Sequence, residues 1–452
     1  MSKQPTSRSN FGSKFGTVAT AAGSAVGLGN IWKFPYEAGQ NGGGAFLLIY
    51  ILCVLLFGLP IMISEFAIGR RARANVAGAF RKLSGTRSWG IVGLLGVITA
   101  FLILGFYFVV AGWSLEYVYQ AASNAFVGKT PTDLSQAFVN FSTDTFQPLF
   151  WTVIFICANA FVLLAGVEKG IERISKILMP FLVLILILLS IRAITMPNGS
   201  AGLQFFFAPD FSKITPNVIL SALGQAFFSL SLGMGCMVTY GSYIRKDNNL
   251  TKTALHVISV DTLIAILAGV AIFPAVFSLG INPAQGPELV FITLPNVFTH
   301  MAGGYIWAIL FFLLLAIAAL TSTISLQEVI TAYVSEEFKL QRKKVIVGSS
   351  VVLIIVSSLC SLSLGVGSKL TIGGMRLFDL FDFTSSKLFL PLGALLISIF
   401  IGWFYNPKKI RDEISNQGKL STKLFPVYYF LMRYFVPIAI IAIFLNELGL
   451  FN

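Results

Sequence analysis

The sequence predicts an all-α protein that crosses a membrane eleven times, and three features of the chain support this prediction. Of the 452 residues, 56% are hydrophobic and only 11% are charged, and the mean hydropathy of +0.82 lies outside the range of soluble domains. Apolar stretches long enough to span a bilayer recur along the whole chain. Basic residues gather in alternate connections between these stretches. We therefore expect a single integral membrane domain over residues 1–452.

The apolar stretches set the order of the elements. They cover residues 13–37, 43–68, 89–123, 149–166, 170–195, 216–243, 254–280, 301–335, 345–365, 377–404 and 425–448. The longest connections, 124–148, 196–215 and 281–300, hold Pro, Asn, Gly and Thr and are expected to be loops. Residues 1–10 are polar and are expected to form a tail before the first helix.

The distribution of basic residues predicts the orientation in the membrane. Five clusters of Lys and Arg lie at 70–87, 169–176, 245–252, 339–344 and 408–423. Because such clusters favour the cytoplasmic side, we expect a cytoplasmic N-terminus and, after eleven spans, an extracytoplasmic C-terminus in the cell's inner (plasma) membrane. The net charge of +13 is carried by these short connections, which favours contact with the lipid bilayer over binding to nucleic acid.

Cysteine and histidine usage gives no indication of redox or metal chemistry. The four cysteines all fall within apolar stretches: Cys53, Cys157, Cys236 and Cys360. We expect them to be small core residues rather than disulfide partners. His256 and His300 are clustered with no other metal ligand in the sequence. No nucleophile, base or metal cluster is evident, so an enzyme embedded in the membrane is the least supported function.

Two apolar stretches are interrupted by glycine. The first contains "GSAVGLGN" at residues 23–30, and the sixth contains "GQAFFSLSLGMGCMVTYGSY" at residues 224–243. Because they are five segments apart, we expect two five-helix halves over 11–195 and 216–404, inverted relative to each other, followed by an eleventh helix at 425–448. Unwound backbone inside a membrane must be satisfied by protein or a polar cavity. Paired breaks of this kind mark a mid-membrane binding site in secondary transporters, although close helix packing also explains glycines in the sixth stretch.

Several motifs resemble one family. The stretch "AAGSAVGLGNIWKFPYEAGQNGGGAFLLIY", together with "GQAFFSLSLGMG", "TYGSYIRKD", "GVEKGIERISKILMP" and "AALTSTISLQEV", is similar to the neurotransmitter:sodium symporter family, in particular its bacterial amino-acid branch. The resemblance covers nearly the whole chain. Many members have twelve helices, whereas eleven are expected here, as in some bacterial members. The resemblance implies sodium-coupled symport of neutral L-amino acids by alternating access.

By position, the resemblance implies two sodium sites. The first would use the Ala25 carbonyl and the side chains of Asn30, Ser229 and Asp261, completed by the substrate carboxylate. The second would use the carbonyls of Gly23, Val26 and Ala318 and the hydroxyls of Thr321 and Ser322. Both sets consist of oxygen atoms, which a hard cation prefers. The alternative for the two hydroxyls is hydrogen bonding to their own helix.

The resemblance also implies a substrate site around the first break. Its residues would be Ser24, Ala25, Gly27, Leu28, Gly29, Ile103, Tyr107, Phe228, Ser229, Ser231, Met234 and Ser325. The amides of Leu28 and Gly29 and the Tyr107 hydroxyl would hold the carboxylate, and carbonyls near Ala25 and Phe228 with Ser231 would take the ammonium. Monoamine-carrying members have Asp at the position of Gly27, so glycine implies a substrate with its own carboxylate. The adaptable Met234 favours a bulky apolar or aromatic side chain.

Further residues match the mechanical parts of the family. Lys33 and Asp382 match an outer gating pair that usually contains Arg, and Arg8 and Glu336 match an inner pair near Ser242 and Tyr243. Glu65 is an acid in an apolar helix and is expected to brace freed amides. Gly170 and Pro180 match a Gly-x9-Pro pattern that lets the inner end of the fifth helix unwind, although a proline also serves simply as a kink.

The ion coupling leaves two alternatives. Chloride-dependent relatives have Asn at the position of Asp261 and Ser at that of Ala265, so the carboxylate here predicts chloride-independent transport with two sodium ions. The competing interpretation is proton coupling through Glu65 or Asp261. A channel is disfavoured because two broken helices indicate an occluded site rather than a continuous pore.

Overall fold

Helices carry most of the chain in the structure, a computed structural model that describes residues 10–280 and 290–447. In chain order they are α1 (Lys14–Ala25), α2 (Phe34–Gln40), α3 (Gly44–Ala72), α4 (Val76–Ser84), α5 (Gly90–Ala122), α6 (Pro131–Thr143), α7 (Gln147–Leu164), α8 (Val167–Ile194), α9 (Gly199–Phe207), α10 (Pro216–Ser229), α11 (Cys236–Gly241), α12 (Leu250–Ser278), α13 (Thr293–Thr299), α14 (Gly304–Glu337), α15 (Arg342–Leu362), α16 (Leu377–Phe404), α17 (Pro407–Ile414) and α18 (425–447). Within the described residues, nine helices are long and apolar enough to cross a membrane: α3, α5, α7, α8, α12, α14, α15, α16 and α18.

The long connections are more ordered than the sequence indicated. The prediction of loops at 124–148, 196–215 and 281–300 was wrong in part, because α6, α9 and α13 form there; residues 281–289 lie outside the described chain. For α6 the reason is local, since Thr130 and Asp133 form a capping box around its first turn. A two-stranded hairpin, β1 (Thr371–Ile372) and β2 (Met375–Arg376), is also present in this helical protein.

The first apolar stretch is divided between α1 and α2. Helix α1 ends at Ala25, and Val26 has an extended backbone with φ −73° and ψ 109°. Helical structure resumes in a π-helical turn at Gly29–Lys33, which continues directly into α2. The break therefore falls within the glycine-rich motif, where residues with low helix propensity follow one another.

The sixth apolar stretch is divided between α10 and α11. Between Ser229 and Cys236, three residues have positive φ: Ser231 (53°), Gly233 (77°) and Gly235 (80°). Left-handed backbone of this kind ends a helix and favours glycine. Gly233 also lies against α16, where an added Cβ would come within 2.5 Å of the Leu390 carbonyl oxygen. The break thus depends on backbone conformation and on close packing together.

The core of the bundle is formed by α5 and α14, which pack along each other, with α1 enclosed by α8, α12 and α14. Small residues permit close approach: a Cβ on Gly112 of α5 would lie 2.7 Å from the Thr152 amide nitrogen of α7. The bundle's outer surface carries exposed apolar side chains such as Phe161 and Ile355, as expected of a lipid-facing surface. Cys157 is exposed on that surface, so its prediction as a core residue was wrong; the other three cysteines are buried.

A buried hydrogen-bond network joins α7, α14 and α15. Asn159 donates to the Gln327 side-chain oxygen at 2.5 Å and accepts from the Thr323 hydroxyl at 3.0 Å. Gln327 in turn donates to the Ser350 hydroxyl at 2.8 Å. Polar contacts of this kind hold helices together where no water is present. They fix α14, the helix that carries Thr321 and Ser322.

Stretches with many basic residues meet at one end of the bundle, which we call the basic end. They are residues 73–89, 242–249 and 405–424, which line one common surface groove. Arg70 lies in the last turn of α3 and is only 2% exposed. It donates to the Glu413 carboxylate at 2.5 Å and to the Asn248 carbonyl at 2.7 Å. Because a buried arginine needs such partners, it ties two of these stretches to α3.

Candidate ion and substrate site

A cluster of buried polar groups lies where the π-helical turn before α2 meets α10 and α12. Asn30, Ser229 and Asp261 are all fully buried. The Asn30 amide donates to Asp261 Oδ1 at 2.8 Å and to Ser229 Oγ at 3.0 Å, and the Ser229 hydroxyl lies 3.0 Å from both Asp261 oxygens. Tyr50 of α3 donates to Asp261 Oδ2 at 3.1 Å. A carboxylate is thus held in the interior by neutral donors, with oxygen atoms from three helices converging on one point.

A second cluster of oxygen atoms joins the break after α1 to α14. The Ser322 hydroxyl donates to the Ser24 carbonyl at 3.2 Å and to the Val26 carbonyl at 3.3 Å, and Thr321 Oγ1 lies 3.4 Å from the same Val26 oxygen. Gly23 is adjacent, since an added Cβ would stand 3.5 Å from Thr321 Cβ. The carbonyls freed by the break therefore find partners on α14.

The alternative partners of these hydroxyls are present as well. Thr321 Oγ1 also lies 3.3 Å from the Ile317 carbonyl and 3.0 Å from the Ala318 carbonyl of its own helix. Both roles that the sequence suggested for these hydroxyls, sodium ligation and hydrogen bonding to their own helix, are compatible with this geometry. An ion bound between the two elements would take over oxygen atoms that are already gathered there.

Beside the second cluster lies a small cavity of about 20 Å³ that is lined by buried residues. It is lined by Ser24, Ala25, Gly27, Gly29, Ile103, Tyr107, Phe228, Ser231, Met234, Ser322 and Leu326. The Leu28 amide donates to the Tyr107 hydroxyl at 2.8 Å at its edge. A Cβ at Gly27 would stand 2.2 Å from Ser322 Oγ and 2.6 Å from the Tyr107 hydroxyl oxygen. Only glycine leaves this space open.

The cavity lining differs from the predicted substrate site at five positions: Leu28, Ser229 and Ser325 do not line it, whereas Ser322 and Leu326 do. Ser325 does not line it: this residue is 1% exposed, accepts the Ser24 hydroxyl at 2.8 Å and donates to the Ser322 carbonyl at 2.7 Å. Leu326, the next residue on α14, lines the cavity instead. Ser231 does line it, but its hydroxyl donates to the Ser24 carbonyl at 2.8 Å. Ser325 and Leu326 are adjacent on α14, so the predicted and the observed wall residue differ by one position along this helix.

The predicted outer pair is in place and loosely held. Lys33 Nζ lies 3.9 Å from Asp382 Oδ1, near the upper limit for an ion pair, with side-chain exposures of 13% and 42%. The same ammonium stands 4.5 Å from the centre of the Phe228 ring. Asp382 also accepts the Ser386 hydroxyl at 2.8 Å. Lys33 thus covers the cavity-lining Phe228 while it contacts α16.

Hydrogen bonds and an ion pair hold together the end of the bundle at which Glu336 lies. Arg8 of the predicted inner pair lies outside the described residues, and its predicted partner Glu336 accepts the Asn75 amide at 2.7 Å. Arg342 forms a two-pronged ion pair with the buried Glu328, with distances of 2.7 and 2.6 Å. The Tyr243 hydroxyl donates to the same carboxylate at 2.6 Å, and its carbonyl accepts the Phe11 amide at 3.0 Å. These contacts join the start of the described chain to α14 and α15.

The remaining predicted residues occupy α3 and α8. Glu65 Oε1 accepts the amide of Gly233, within the break of the sixth stretch, at 2.8 Å. Gly170 lies in the π-helical turn that begins α8, and an added Cβ would come 2.2 Å from the Val162 carbonyl oxygen. Pro180 lies inside the continuous helix that follows. In this structure the inner end of α8 is wound rather than open.

The sequence argument missed Tyr50, Leu326, Glu328 and Arg342. Tyr50 belongs to "GGGAFLLIY", a motif noted only for its family likeness, and its hydroxyl would be costly in an apolar helix without a buried partner. Glu328 lies in an apolar stretch, which was a signal equal to that of Glu65. Leu326 and Arg342 offered no such signal in the sequence, because their roles depend on how α14 and α15 are rotated about their own axes.

Nine apolar helices of membrane-spanning length within the described residues, with two divided helices beside a buried cavity, are the architecture of a membrane transporter. The chain belongs to the sodium:neurotransmitter symporter family, whose model matches residues 8–134 and 133–451. It is therefore a sodium-dependent, multi-pass transporter of that family.

Individual relatives agree with this membership. An uncharacterized sodium-dependent transporter of Bacillus subtilis is 41% identical over 442 residues, 98% of each chain. A sodium- and chloride-dependent GABA transporter of Mus musculus is 27% identical over 497 residues, 98% of this chain and 80% of that protein. The crystal structure of MhsT in complex with L-phenylalanine matches with a TM-score of 0.91 and 43% identity, covering 97% of this chain and 99% of MhsT.

Proposed function

We propose that this protein is a sodium-coupled symporter of neutral, apolar or aromatic L-amino acids that works by alternating access and does not require chloride. The single observation that carries the proposal is the space at Gly27. There a Cβ would meet both Ser322 and Tyr107, so no acidic side chain at this position reaches into the cavity. The substrate must supply its own carboxylate.

The groups around Gly27 suit that carboxylate. The Leu28 amide and the Tyr107 hydroxyl are already hydrogen bonded to each other at 2.8 Å. A carboxylate bound here would accept from both groups, as well as from the Gly29 amide at the start of the π-helical turn. The side chain would then point toward Ile103, Phe228, Met234 and Leu326. An apolar wall with a flexible Met favours a large apolar or aromatic amino acid, and MhsT was crystallised with L-phenylalanine.

Two sodium ions fit the two oxygen clusters. We assign the first to Ala25, Asn30, Ser229 and Asp261, completed by the substrate carboxylate, and the second to Gly23, Val26, Ala318, Thr321 and Ser322. Both sets offer only oxygen atoms to a hard cation. Since the substrate carboxylate belongs to the first set, sodium and substrate each increase the affinity for the other.

The Asp261 carboxylate supports chloride independence. Two cations and a zwitterion add positive charge to an interior where unbalanced charge is costly. Asp261 is fully buried among Asn30, Ser229 and Tyr50 and supplies the balancing charge itself. The nearby Ala265 is fully buried and has no hydroxyl to hold an anion.

The architecture supports an alternating-access cycle. We propose eleven spans, counting each divided stretch as one, arranged as halves 11–195 and 216–404 with an eleventh helix at 425–448. The basic end would face the cytoplasm by the positive-inside rule. Opening outward would part Lys33 from Asp382, and opening inward would release the start of the chain from Tyr243 and unwind α8 between Gly170 and Pro180.

Ligand-induced stabilisation tests this function. Purified protein should unfold at higher temperature with L-phenylalanine in sodium chloride than in potassium chloride, because a ligand that binds only the folded state stabilises it. L-Glutamate, which would bury a second carboxylate, should give no shift. Equal shifts in both salts would contradict sodium coupling, and a shift with glutamate would contradict the apolar side-chain pocket.

A further inference from the structure

Arg433 is a cation on a membrane-spanning helix that has no anionic partner in the described part of the chain. It lies in α18, on a face whose neighbours Trp403, Phe430 and Tyr434 are exposed by 59%, 57% and 41%. Its own side chain is partly buried, and Nε is fully buried without a hydrogen-bond partner. A charge at such a place is costly unless something compensates it.

Aromatic rings surround this guanidinium. Its carbon lies 4.7 Å from the ring centre of Trp403, 5.5 Å from that of Tyr434 and 5.9 Å from that of Tyr429. The Trp403 indole also donates to the Arg433 carbonyl at 2.9 Å. These contacts hold the side chain in one orientation but supply no negative charge. Arg342 is a useful contrast, because its guanidinium meets both oxygens of Glu328.

Arg433 lies in the half of α18 nearer the basic end, which we assign to the headgroup side of the membrane. It lies eight residues after Phe425, about 12 Å along the helix at 1.5 Å per residue. Side chains on a helix tilt toward its N-terminus, which here is the basic end. The guanidinium accordingly stands beside Trp403, in the last turn of α16. Trp and Tyr collect at this level in membrane proteins because their rings have an apolar body and a polar edge.

We propose that Arg433, oriented by Trp403, Tyr429 and Tyr434, binds the phosphate of an anionic phospholipid in the leaflet at the basic end. A planar guanidinium matches two phosphate oxygens at once, and the Arg433 side chain is only partly buried. The exposed apolar surface of α16 and α18 beside it would receive the acyl chains. The connection between these helices carries Lys408, Lys409, Arg411, Lys419 and Lys423, which favour an anionic leaflet at this end.

Lipid retention in native mass spectrometry tests the site. The full chain would be reconstituted in nanodiscs of equal parts phosphatidylcholine and phosphatidylglycerol. It would then be released from the nanodiscs in the mass spectrometer under mild conditions that keep bound lipids attached. We expect phosphatidylglycerol bound to Arg433→Gln to fall about tenfold below the wild-type level, the scale of one lost charged hydrogen-bonding pair. Arg433→Lys, which keeps the charge without the planar fork, should retain an intermediate amount.

The matched control is Arg87→Gln, which removes the same charge from an exposed loop at the same end and should retain lipid like the wild type. Equal retention by Arg433→Gln and Arg87→Gln would overturn the proposal. If inorganic phosphate protects lipid-depleted wild-type protein against heat as well as phosphatidylglycerol does, the site takes a soluble anion and the lipid assignment is wrong.

A measurement on the unaltered site covers the case in which Arg433→Gln fails to fold. Trp403 fluorescence, obtained as the difference between wild type and Trp403→Phe, should be quenched more by brominated phosphatidylglycerol than by brominated phosphatidylcholine in the same nanodiscs. Equal quenching by the two lipids would also overturn the proposal.

Discussion

Gly27 is the residue at which the backbone leaves room for the buried cavity. Its neighbours Ser322 and Tyr107 come from α14 and α5 and approach it closely enough that a single methyl group has no place. The restriction is steric rather than conformational, since Gly27 is not among the glycines with positive φ. The identity of one residue therefore decides both the volume of the cavity and the absence of a fixed negative charge in it.

Gly27→Ala should weaken binding of L-phenylalanine about tenfold or more, because overpacking a filled interior costs 1–3 kcal/mol and here displaces Tyr107 from the Leu28 amide. Isothermal titration in sodium chloride measures the affinity. Gly348→Ala is the control, because a Cβ there has no neighbour within 4 Å. Unchanged affinity in Gly27→Ala would show that the carboxylate binds elsewhere.

Thr321 and Ser322 are the residues that join α14 to the first break. The double variant Thr321→Ala, Ser322→Ala should raise the sodium concentration needed for half-maximal thermal stabilisation about tenfold or more, the scale on which lost partners weaken metal binding. The control pair Thr99→Ala, Ser398→Ala removes buried hydroxyls that bond to their own helices, at 2.7 Å each. If both double variants respond to sodium as the wild type does, the second sodium site lies elsewhere.

At the scale of the element, each break in a helix is satisfied by a neighbouring helix. The carbonyls of Ser24 and Val26 accept from α14, and the Gly233 amide donates to Glu65 of α3. A broken helix is stable in a membrane only when such partners exist. The two breaks therefore depend on tertiary contacts for their stability, although local composition selects where they occur.

The inner end of α8 shows the same dependence. The carboxylate of Glu172 is 1% exposed and accepts the Gly12 amide at 2.7 Å and the Ser13 hydroxyl at 3.2 Å, while Lys176 pairs with it at 2.5 Å. These bonds hold the chain just before α1 against the turn that contains Gly170. Release of the chain before α1 and unwinding of the first turn of α8 would therefore be linked through Glu172.

Glu172→Gln should loosen this end, because a bond to a charged acceptor is stronger than one to a neutral amide. We expect amide hydrogen exchange in residues 10–16 and 167–173 to rise about tenfold, with no change in α5. Glu168→Gln is the matched control, since Glu168 is exposed on the same turn. Equal exchange in wild type and Glu172→Gln would indicate that other contacts hold α8 closed.

At the scale of the whole molecule, the balance of charge in the interior determines which ions the transport cycle needs. Asp261 is held by donors from α3, α10 and the turn before α2, so its charge is available in any conformation that keeps these helices together. A relative named for its chloride dependence shares 27% identity with this chain. We expect the difference in chloride dependence between the two proteins to depend on the Asp261 carboxylate.

Replacing chloride with gluconate on both sides of the membrane should leave L-phenylalanine uptake into proteoliposomes unchanged if, as we propose, Asp261 supplies the compensating charge. Asp261→Asn in the same vesicles should lose most of its sodium-driven uptake, since two cations would then lack a counter-charge. A large loss of wild-type uptake in gluconate would show that Asp261 does not perform this role.

The sequence alone determined the apolar helices of the chain and where two of them are broken. Apolar length and the loop positions of Lys and Arg are one-dimensional properties, so the eleven apolar stretches all coincide with helices or pairs of helices in the structure. The glycines at 23–29 and 233–235 likewise weaken the helix at their own positions, so the places of the two breaks can be read from the sequence. The family likeness of the first motif added a ligand set that no spacing argument could supply.

Only the tertiary structure decided which side chains face the cavity and which close its ends. Leu326 rather than Ser325 lines the wall, Tyr50 joins the Asp261 cluster, and Glu328 pairs with Arg342 at the inner end. An apolar helix surrounded by protein and lipid has no polar face in its sequence, so its rotation about its own axis is set by the shapes and hydrogen bonds of its neighbours. Contacts between residues hundreds of positions apart in the chain depend on that rotation.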